Sequence, residues 1–440
     1  MATSCDDAVL ETPGSKRARI VCAVAHAIIL TTVGVWQITV IFGLNNGPSQ
    51  LADWFSESNA VRAGEGFADK GFLADAGLPD VCYGNTWGSH GFTNYIRGGG
   101  KRVEGGYKIS TSLFPVLPTR YIYTHYPPGP DWTVGMLTKI LGKQRATLYR
   151  FFPWSIAMLC GALLARQLWK TMGPVRSVVV MGLLAAAPAF GNMIHGLHYQ
   201  SYSLSLLLLE IALVLSALRA SRFPWKELLI LFAVAFWQGW LSFDYCFLVA
   251  FAPLPVFLLR PGTLAKERLL RLGACVLAAG GGFALANVLH VGQVILYYHD
   301  VQMAMADLSY SGSRRMGATP WGEIIQLYYK GFFQDPRFFH PLSFSVAGVS
   351  LVLLCFPRRW ASTRLRGWQL TWGVPWLRVA AVLAALAVCS MWLIFMPQHA
   401  KIHTHFLPRH YYLLYFSLVF LIADNIAVRR SVTGHEHTKI

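Results

Sequence analysis

Long apolar runs alternate with polar stretches along this 440-residue chain, and the runs set its architecture. Roughly ten stand out, near 20–43, 149–169, 177–194, 203–219, 227–243, 246–259, 272–296, 343–357, 379–396 and 411–428. Most approach the roughly 20 residues that a helix needs to cross a bilayer. The predicted fold class is all-α and polytopic, with about ten transmembrane helices in a single membrane domain over residues 1–440. Residues 1–19 form a polar tail. Three stretches between runs are too long or too polar to be simple connectors: 44–148, 297–342 and 397–410. Long loops in compact proteins tend to carry function.

Within 44–148, Val61, Gly64, Ala68 and Phe72 recur at helical spacing, with Arg62, Glu65 and Asp69 on another face. A second short helix is predicted from Pro130, a favoured first-turn residue, with Trp132, Met136, Leu137, Ile140 and Leu141 on one side. Neither is long enough to cross the membrane, and both suit the interface plane. The aromatic and Gly-rich loop is expected to fold as a cap.

Composition sharpens this picture. With 54% hydrophobic and only 13% charged residues, the chain is not a soluble enzyme. Its 38 Lys and Arg against 21 Asp and Glu give a net charge of +17. The basic residues fall in short clusters at alternate run ends: Lys16/Arg17/Arg19, Arg166/Lys170/Arg176, Arg219/Arg222/Lys226, Arg260/Lys266/Arg268/Arg271, Arg358–Arg378 and Arg429/Arg430/Lys439. The facing short loops, 195–202 and 244–245, contain neither Lys nor Arg. The positive-inside rule accounts for that pattern without nucleic acid, and puts both termini in the cytoplasm. Cys82 is the one cysteine in an outer loop, so the first loop cannot staple itself by a disulfide.

Chemistry is expected on the outer face, because charges inside hydrocarbon are costly. Gln398–His410 reads QHAKIHTHFLPRH, and Lys401, His405 and Arg409 there suit a phosphate. A divalent cation at its histidines remains an alternative, although no acidic or Cys ligand accompanies them; no motif demands a cofactor. Interfacial basic residues meeting lipid headgroups are the plain alternative. Tyr123-Thr-His-Tyr-Pro-Pro-Gly-Pro-Asp-Trp132 is rigid by its prolines, which would hold His125, Tyr126 and Asp131 in place. A simple loop-to-helix junction explains it equally well. Glu57, just beyond the first run, is the candidate general base, with Asp53 next and Asp69, Asp75 and Asp80 as rivals. His290 and Gln293, close to the outer end of the 272–296 run, either reach a lipid phosphate or bond between helices. Arg314 and Arg315 are candidate donors to phosphate, or a solvated pair.

A run, an acidic residue, an interface helix ending in Gly71-Phe72 and a Pro-Pro string before the next run together resemble the GT-C superfamily of membrane glycosyltransferases. There an Asp-Glu pair follows the first span, and a Lys-Pro-Pro-Leu-like string precedes a juxtamembrane helix. Here Ser56-Glu57 and His125-Tyr-Pro-Pro-Gly-Pro130 stand in those places. The resemblance covers roughly residues 20–170 and implies a sugar moved, with inversion, from a polyprenyl-phosphate donor to a protein or glycan hydroxyl at the periplasmic face of a bacterial inner membrane. It implies Glu57 as base; His125, Lys401, His405, Arg409, His290 and Arg314 around the donor phosphate; and Tyr126, Asp131 and Asp75 positioning substrate. The Gly71-Phe-Leu-Ala-Asp-Ala-Gly-Leu-Pro79 run somewhat resembles the bacterial pilin-modifying arabinofuranosyltransferases, which implies arabinofuranose as the sugar.

The competing class is a proton-coupled transporter or lipid-linked sugar flippase, suggested by Glu210 and His26 inside apolar runs and by Asp244. Gly280–Gly282 is the only broken-span signal, and close helix packing explains it as well.

This topology has a direct check. Ser89→Cys and Ser313→Cys are expected to react with an impermeant thiol reagent added outside intact cells. Labelling only after permeabilisation would reverse the assignment.

Overall fold

The computed structural model describes residues 13–47, 49, 54–81, 83, 101–104, 107–110, 122–187, 194–220, 222–241, 266–317, 319–330 and 419. The runs near 246–259, 343–357, 379–396 and 411–428 lie outside the described residues, Val419 excepted, as does the loop 397–410. The described chain is an α-helical membrane protein. Its helices are α1 (Pro13–Gly43), α2 (Trp54–Lys70), α3 (Gly129–Leu141), α4 (Ala146–Tyr149), α5 (Phe151–Met172), α6 (Pro174–Ala185), α7 (Tyr199–Arg219), α8 (Trp225–Leu241), α9 (Lys266–Tyr298), α10 (Val301–Arg315) and α11 (Trp321–Tyr329). One departure from an all-helical chain is a small antiparallel hairpin, β1 (Lys101–Glu104) with β2 (Tyr107–Ser110), which pairs Lys101 with Ser110.

Four helices are long and apolar enough to cross a membrane: Arg19–Gly43, Ala146–Met172, Tyr199–Arg219 and Leu270–Tyr298. They stand where the first, second, fourth and seventh runs predict spans. The shorter α6 and α8 fall on the third and fifth. α7 is buried along nearly its whole length and packs on α5, α8 and α9, so its Leu204, Leu207, Leu208, Ile211 and Leu215 form the middle of the core. The outer helices instead expose large apolar side chains, Val24, Ile28 and Val35 on α1 and Leu277, Val288 and Leu296 on α9. In water that surface would be unfavourable, whereas acyl chains solvate it.

With hydrocarbon on both sides of the equation, helices associate through close backbone approach and polar contacts. α8 and α9 use both. A Cβ at Gly282 would collide with the Phe232 carbonyl oxygen of α8, so the middle helix pair needs glycine there. This close contact accounts for Gly282, the last glycine of the Gly280–Gly282 run. Between α7 and α8, the Gln238 amide nitrogen donates to both carboxyl oxygens of Glu210, at 2.6 and 3.2 Å.

The two ends of the bundle differ chemically. At one, Arg219 donates to Gln167 at 2.7 Å and Arg271 to the Ala220 carbonyl, beside Arg222 and Lys226. The other end is capped by α2 and α3, which pack against each other so closely that a Cβ at Gly64 would lie 2.6 Å from Val134.

Two details of these cap helices go beyond what the helical spacing shows. Arg62 and Glu65 of α2 are buried, because α3 covers one flank and the chain at Val81 and Tyr83 covers another. On α3 the buried face is the small and polar one, Thr133, Val134, Gly135 and Thr138, whereas Met136 and Ile140 point outward. Small residues permit the close approach to α2, and the large apolar ones are left for an apolar solvent.

Gly282→Leu is expected to drive α8 from α9 and cost about 1–3 kcal/mol, as overpacking does. Gly280, with open space around its Cβ position, supplies the control. Thermal midpoints in detergent should fall for Gly282→Leu and hold for Gly280→Leu; equal midpoints would refute the packing account.

Candidate active site

At the capped end α1 stops, α5 and α7 start, and α8 and α9 stop. Asn46 and Thr147 exchange two hydrogen bonds there, at 2.8 and 2.9 Å, which ties the end of α1 to the short α4 just ahead of α5. Beneath this tie Glu57 and Arg150 form an ion pair of 3.0 Å in which both side chains are fully buried. One Glu57 oxygen also accepts the Leu197 amide (3.0 Å), and the other accepts the Ser49 amide (2.5 Å). Arg150 in turn donates to the Gly47 carbonyl at 2.7 Å. Burial by itself raises the Glu57 pKa. The Arg150 charge, then His198 and the Ser49 and Leu197 amides, outweigh it and hold this carboxylate below its ordinary range.

The same junction continues into the bundle. His195 Nδ1 donates to Gln37 Oε1 of α1 at 2.8 Å, which leaves Nε2 to accept from the Ser49 hydroxyl at 2.8 Å. That tautomer is neutral, in accord with burial, which pushes His195 down to about 4 despite Glu57 nearby.

A second cluster forms around the rigid string. His290 of α9 donates to the Thr124 carbonyl at 3.0 Å. Thr124 and Tyr298 donate their hydroxyls to Asp307 of α10, and His125 Nε2 lies 3.3 Å from the other Asp307 oxygen. Burial raises Asp307, but the hydrogen bond and charge of His125, with Thr124 and Tyr298, hold it below the carboxylate norm. Tyr126 stacks between Tyr123 (5.9 Å) and Tyr199 (5.8 Å), both nearly parallel to it. The result is a three-ring face beside His125.

Asp131 differs from both carboxylates above. It sits in the first turn of α3, half-buried, and no Lys, Arg or His pairs with it among the described residues. Burial pushes its pKa up to about 7, where a carboxyl exchanges protons most effectively with a substrate hydroxyl near neutral pH.

The remaining expected residues divide. Glu57 lies in the first turn of α2 and not ahead of it, with its oxygens already given to Arg150 and two amides. His290 is fully buried and supports the string from below, and Gln293 likewise donates to the Ala76 carbonyl at 3.2 Å. Asp75 falls in a left-handed turn (φ 53°) that lies against α9, and the residues after it meet the string, the Gly77 carbonyl accepting from Trp132 at 3.0 Å and the Pro79 carbonyl from the Tyr123 amide at 2.8 Å. Asp53, Lys401, His405 and Arg409 lie outside the described residues, as does Asp244, and Arg314 is described only as part of α10. Among the described residues no three His, Cys, Asp or Glu side chains gather as a metal site.

Arg150 and Asp307 carry the two clusters, and the sequence reading singled out neither. Arg150 looks like an ordinary flank of an apolar run. Asp307 had one available signal, a lone acid among Met, Ala, Leu and Tyr on an amphipathic helix.

No protein-family model matches the chain, and no curated protein matches it.

The junction has a pH signature with a definite sign. The Glu57 folded pKa lies below its unfolded value near 4.5, so its contribution is present above that pH and lost as pH falls through the folded value. His195 has a folded pKa of about 4 against 6.5 unfolded, so its share, on the order of 3 kcal/mol, is complete above 6.5 and drains away between 6.5 and 4. Asp131, raised to about 7, acts with the opposite sign over the same range, so the test is made in an Asp131→Asn background: there thermal midpoints should decline from pH 6.5 downward, and His195→Asn should flatten the upper part of that decline. Arg150→Met, which strands the Glu57 charge, should cost about 3–5 kcal/mol. A midpoint independent of pH from 7 to 4 in the Asp131→Asn background would contradict this account.

Proposed function

We propose that this protein is a GT-C-type membrane glycosyltransferase. It has about ten spans, both termini in the cytoplasm and its capped end on the outer face of a bacterial inner membrane, and it moves a sugar from a polyprenyl-phosphate donor to a hydroxyl of a protein or glycan. Arabinofuranose is the sugar that the sequence resemblance favours. The observation that carries the reading is Asp131: an unpaired, half-buried carboxyl of near-neutral pKa, on an interface helix, immediately after a pinned string bearing His125 and a stacked tyrosine face.

In this reading Asp131 takes the base role expected of Glu57, because Glu57 is sealed with Arg150. Asp131 accepts the proton of the acceptor hydroxyl as its oxygen attacks the anomeric carbon. The bond from that carbon to the phosphate oxygen breaks with inversion, and polyprenyl phosphate departs. His125, with Lys401, His405 and Arg409, neutralises the charge that grows on the phosphate, an interaction stronger in the transition state than before it. The partly exposed Tyr123, backed by Tyr126, offers an aromatic ring to the sugar or the first prenyl units. The transport alternative gains no comparable support: Glu210 is sealed by Gln238, and His26 rests against Trp169 with Nδ1 on its own helix's Cys22 carbonyl.

Purified protein given a labelled polyprenyl-phosphate sugar and a fraction of surface proteins and glycans is expected to transfer label, whereas the matching nucleotide sugar should not serve. Turnover should rise with pH through about 7 as Asp131 loses its proton, and Asp131→Asn should lower it about 10²-fold or more without lowering the thermal midpoint. Transfer from the nucleotide sugar with no lipid present, or full turnover in Asp131→Asn, would defeat the assignment.

A further inference from the structure

Three hydrogen-bond donors from two chain segments converge on one carboxylate. Asp307 of α10 is only 4% exposed, and it receives the Thr124 hydroxyl, the Tyr298 hydroxyl (3.0 Å) and His125 Nε2 (3.3 Å). No Lys or Arg pairs with it among the described residues, so His125 is the cation available to it there. A buried carboxylate without a cation is costly, and a histidine beside it is correspondingly favoured in its protonated form. The His125 ring meanwhile keeps 16% of its side chain exposed, and it is braced by Tyr123 at 5.2 Å between ring centres. The backbone beneath is fixed as well, by His290 on the Thr124 carbonyl.

We propose that Asp307 is a positioning residue that keeps His125 protonated and oriented as a ligand for the phosphate of a prenyl-phosphate lipid. This assignment rests on the lipid-phosphate reading above. Asp307 does not touch the lipid; it acts through the imidazolium, as a carboxylate behind a histidine commonly does. Among the described residues the ionisable groups facing His125 include Asp307 from α10, Tyr298 and His290 from α9, and Tyr123 from its own string. Of these Asp307 is the acid that is anionic at neutral pH, so removing its charge is expected to release the His125 proton at lower pH.

The test needs no glycosyl transfer. The titration of His125 is followed by NMR of protein labelled with 15N-histidine, with the signal assigned by its loss in His125→Gln, and farnesyl phosphate binding is measured between pH 5.5 and 8. In Asp307→Asn the His125 midpoint should fall by about one pH unit. Affinity for farnesyl phosphate should fall about tenfold at pH 7 and recover at pH 5.5, where the imidazole is protonated in both proteins. An unchanged His125 midpoint overturns the proposal, and so does unchanged affinity across that pH range. Where Asp307→Asn does not accumulate as folded protein, Asp307→Glu carries the test. It keeps the charge and should keep the wild-type pH dependence of binding at reduced affinity, and loss of that dependence overturns the proposal. Wild-type protein that binds farnesyl phosphate with this pH dependence yet transfers no sugar would defeat the transferase reading and support the role of Asp307.

Discussion

A carboxylate and a guanidinium meet at the capped end where no solvent reaches them, and neither is tolerable there alone. Glu57 must have Arg150, and both must have the carbonyl and amides of Gly47, Ser49 and Leu197. Four stretches of chain are thereby held to one point: the exit from α1, the start of α2, the entry to α5 and the turn before α7. Once the first turn of α2 is fixed, Gly64 fixes α3 against it, and α3 sets Asp131 and the end of the Pro-Pro string. A buried pair of this kind contributes little net stability compared with an apolar one of the same size. Its effect here is to forbid other arrangements of the cap.

The two cap helices obey a different solvent rule from helices on a soluble protein. α3 buries Thr133, Gly135 and Thr138 and exposes Met136 and Ile140, because a helix at a membrane edge has an apolar medium outside and needs small residues inside for close contact. α7 shows the same logic from the other direction. It is the helix most enclosed by protein, and it carries the polar side chains Gln200, Ser201, Ser203, Ser205 and Glu210, which lipid would not accept. Lipid-facing α1 and α9 present Val24, Ile28, Leu277 and Val288 instead.

Helical spacing and run length were enough to locate α1, α5, α7 and α9, since period and hydropathy are local properties. The existence of α2 and α3 was legible for the same reason. Their buried faces were not, because apolar character identifies an inward face only when water is outside. Of the site, the rigid string with His125 and Asp131 was legible from Pro127 and Pro128, which restrict the backbone whatever lies around it. The pairing of Glu57 with Arg150, and of His125 with Asp307, was not. Each joins positions far apart in the chain, and nothing in the spacing of either residue reports the other.

Three carboxylates at the capped end show how environment, more than position, divides roles. Glu57 is buried with an arginine and two amides; it stays ionised and its oxygens are given to the junction. Asp307 is buried with two hydroxyls and an imidazole; it stays ionised too, and its charge is passed on through a ring that remains partly exposed. Asp131 has burial without a cation, and its own backbone N–H offsets only part of the desolvation that raises it to about 7. A base must be able to take up a proton at the pH where it works, and a carboxylate already held by arginine cannot do so without first losing that partner. Proximity to the end of the first span therefore singles out Glu57 in the sequence, whereas the lack of a cationic partner is what recommends Asp131 in the proposed reading.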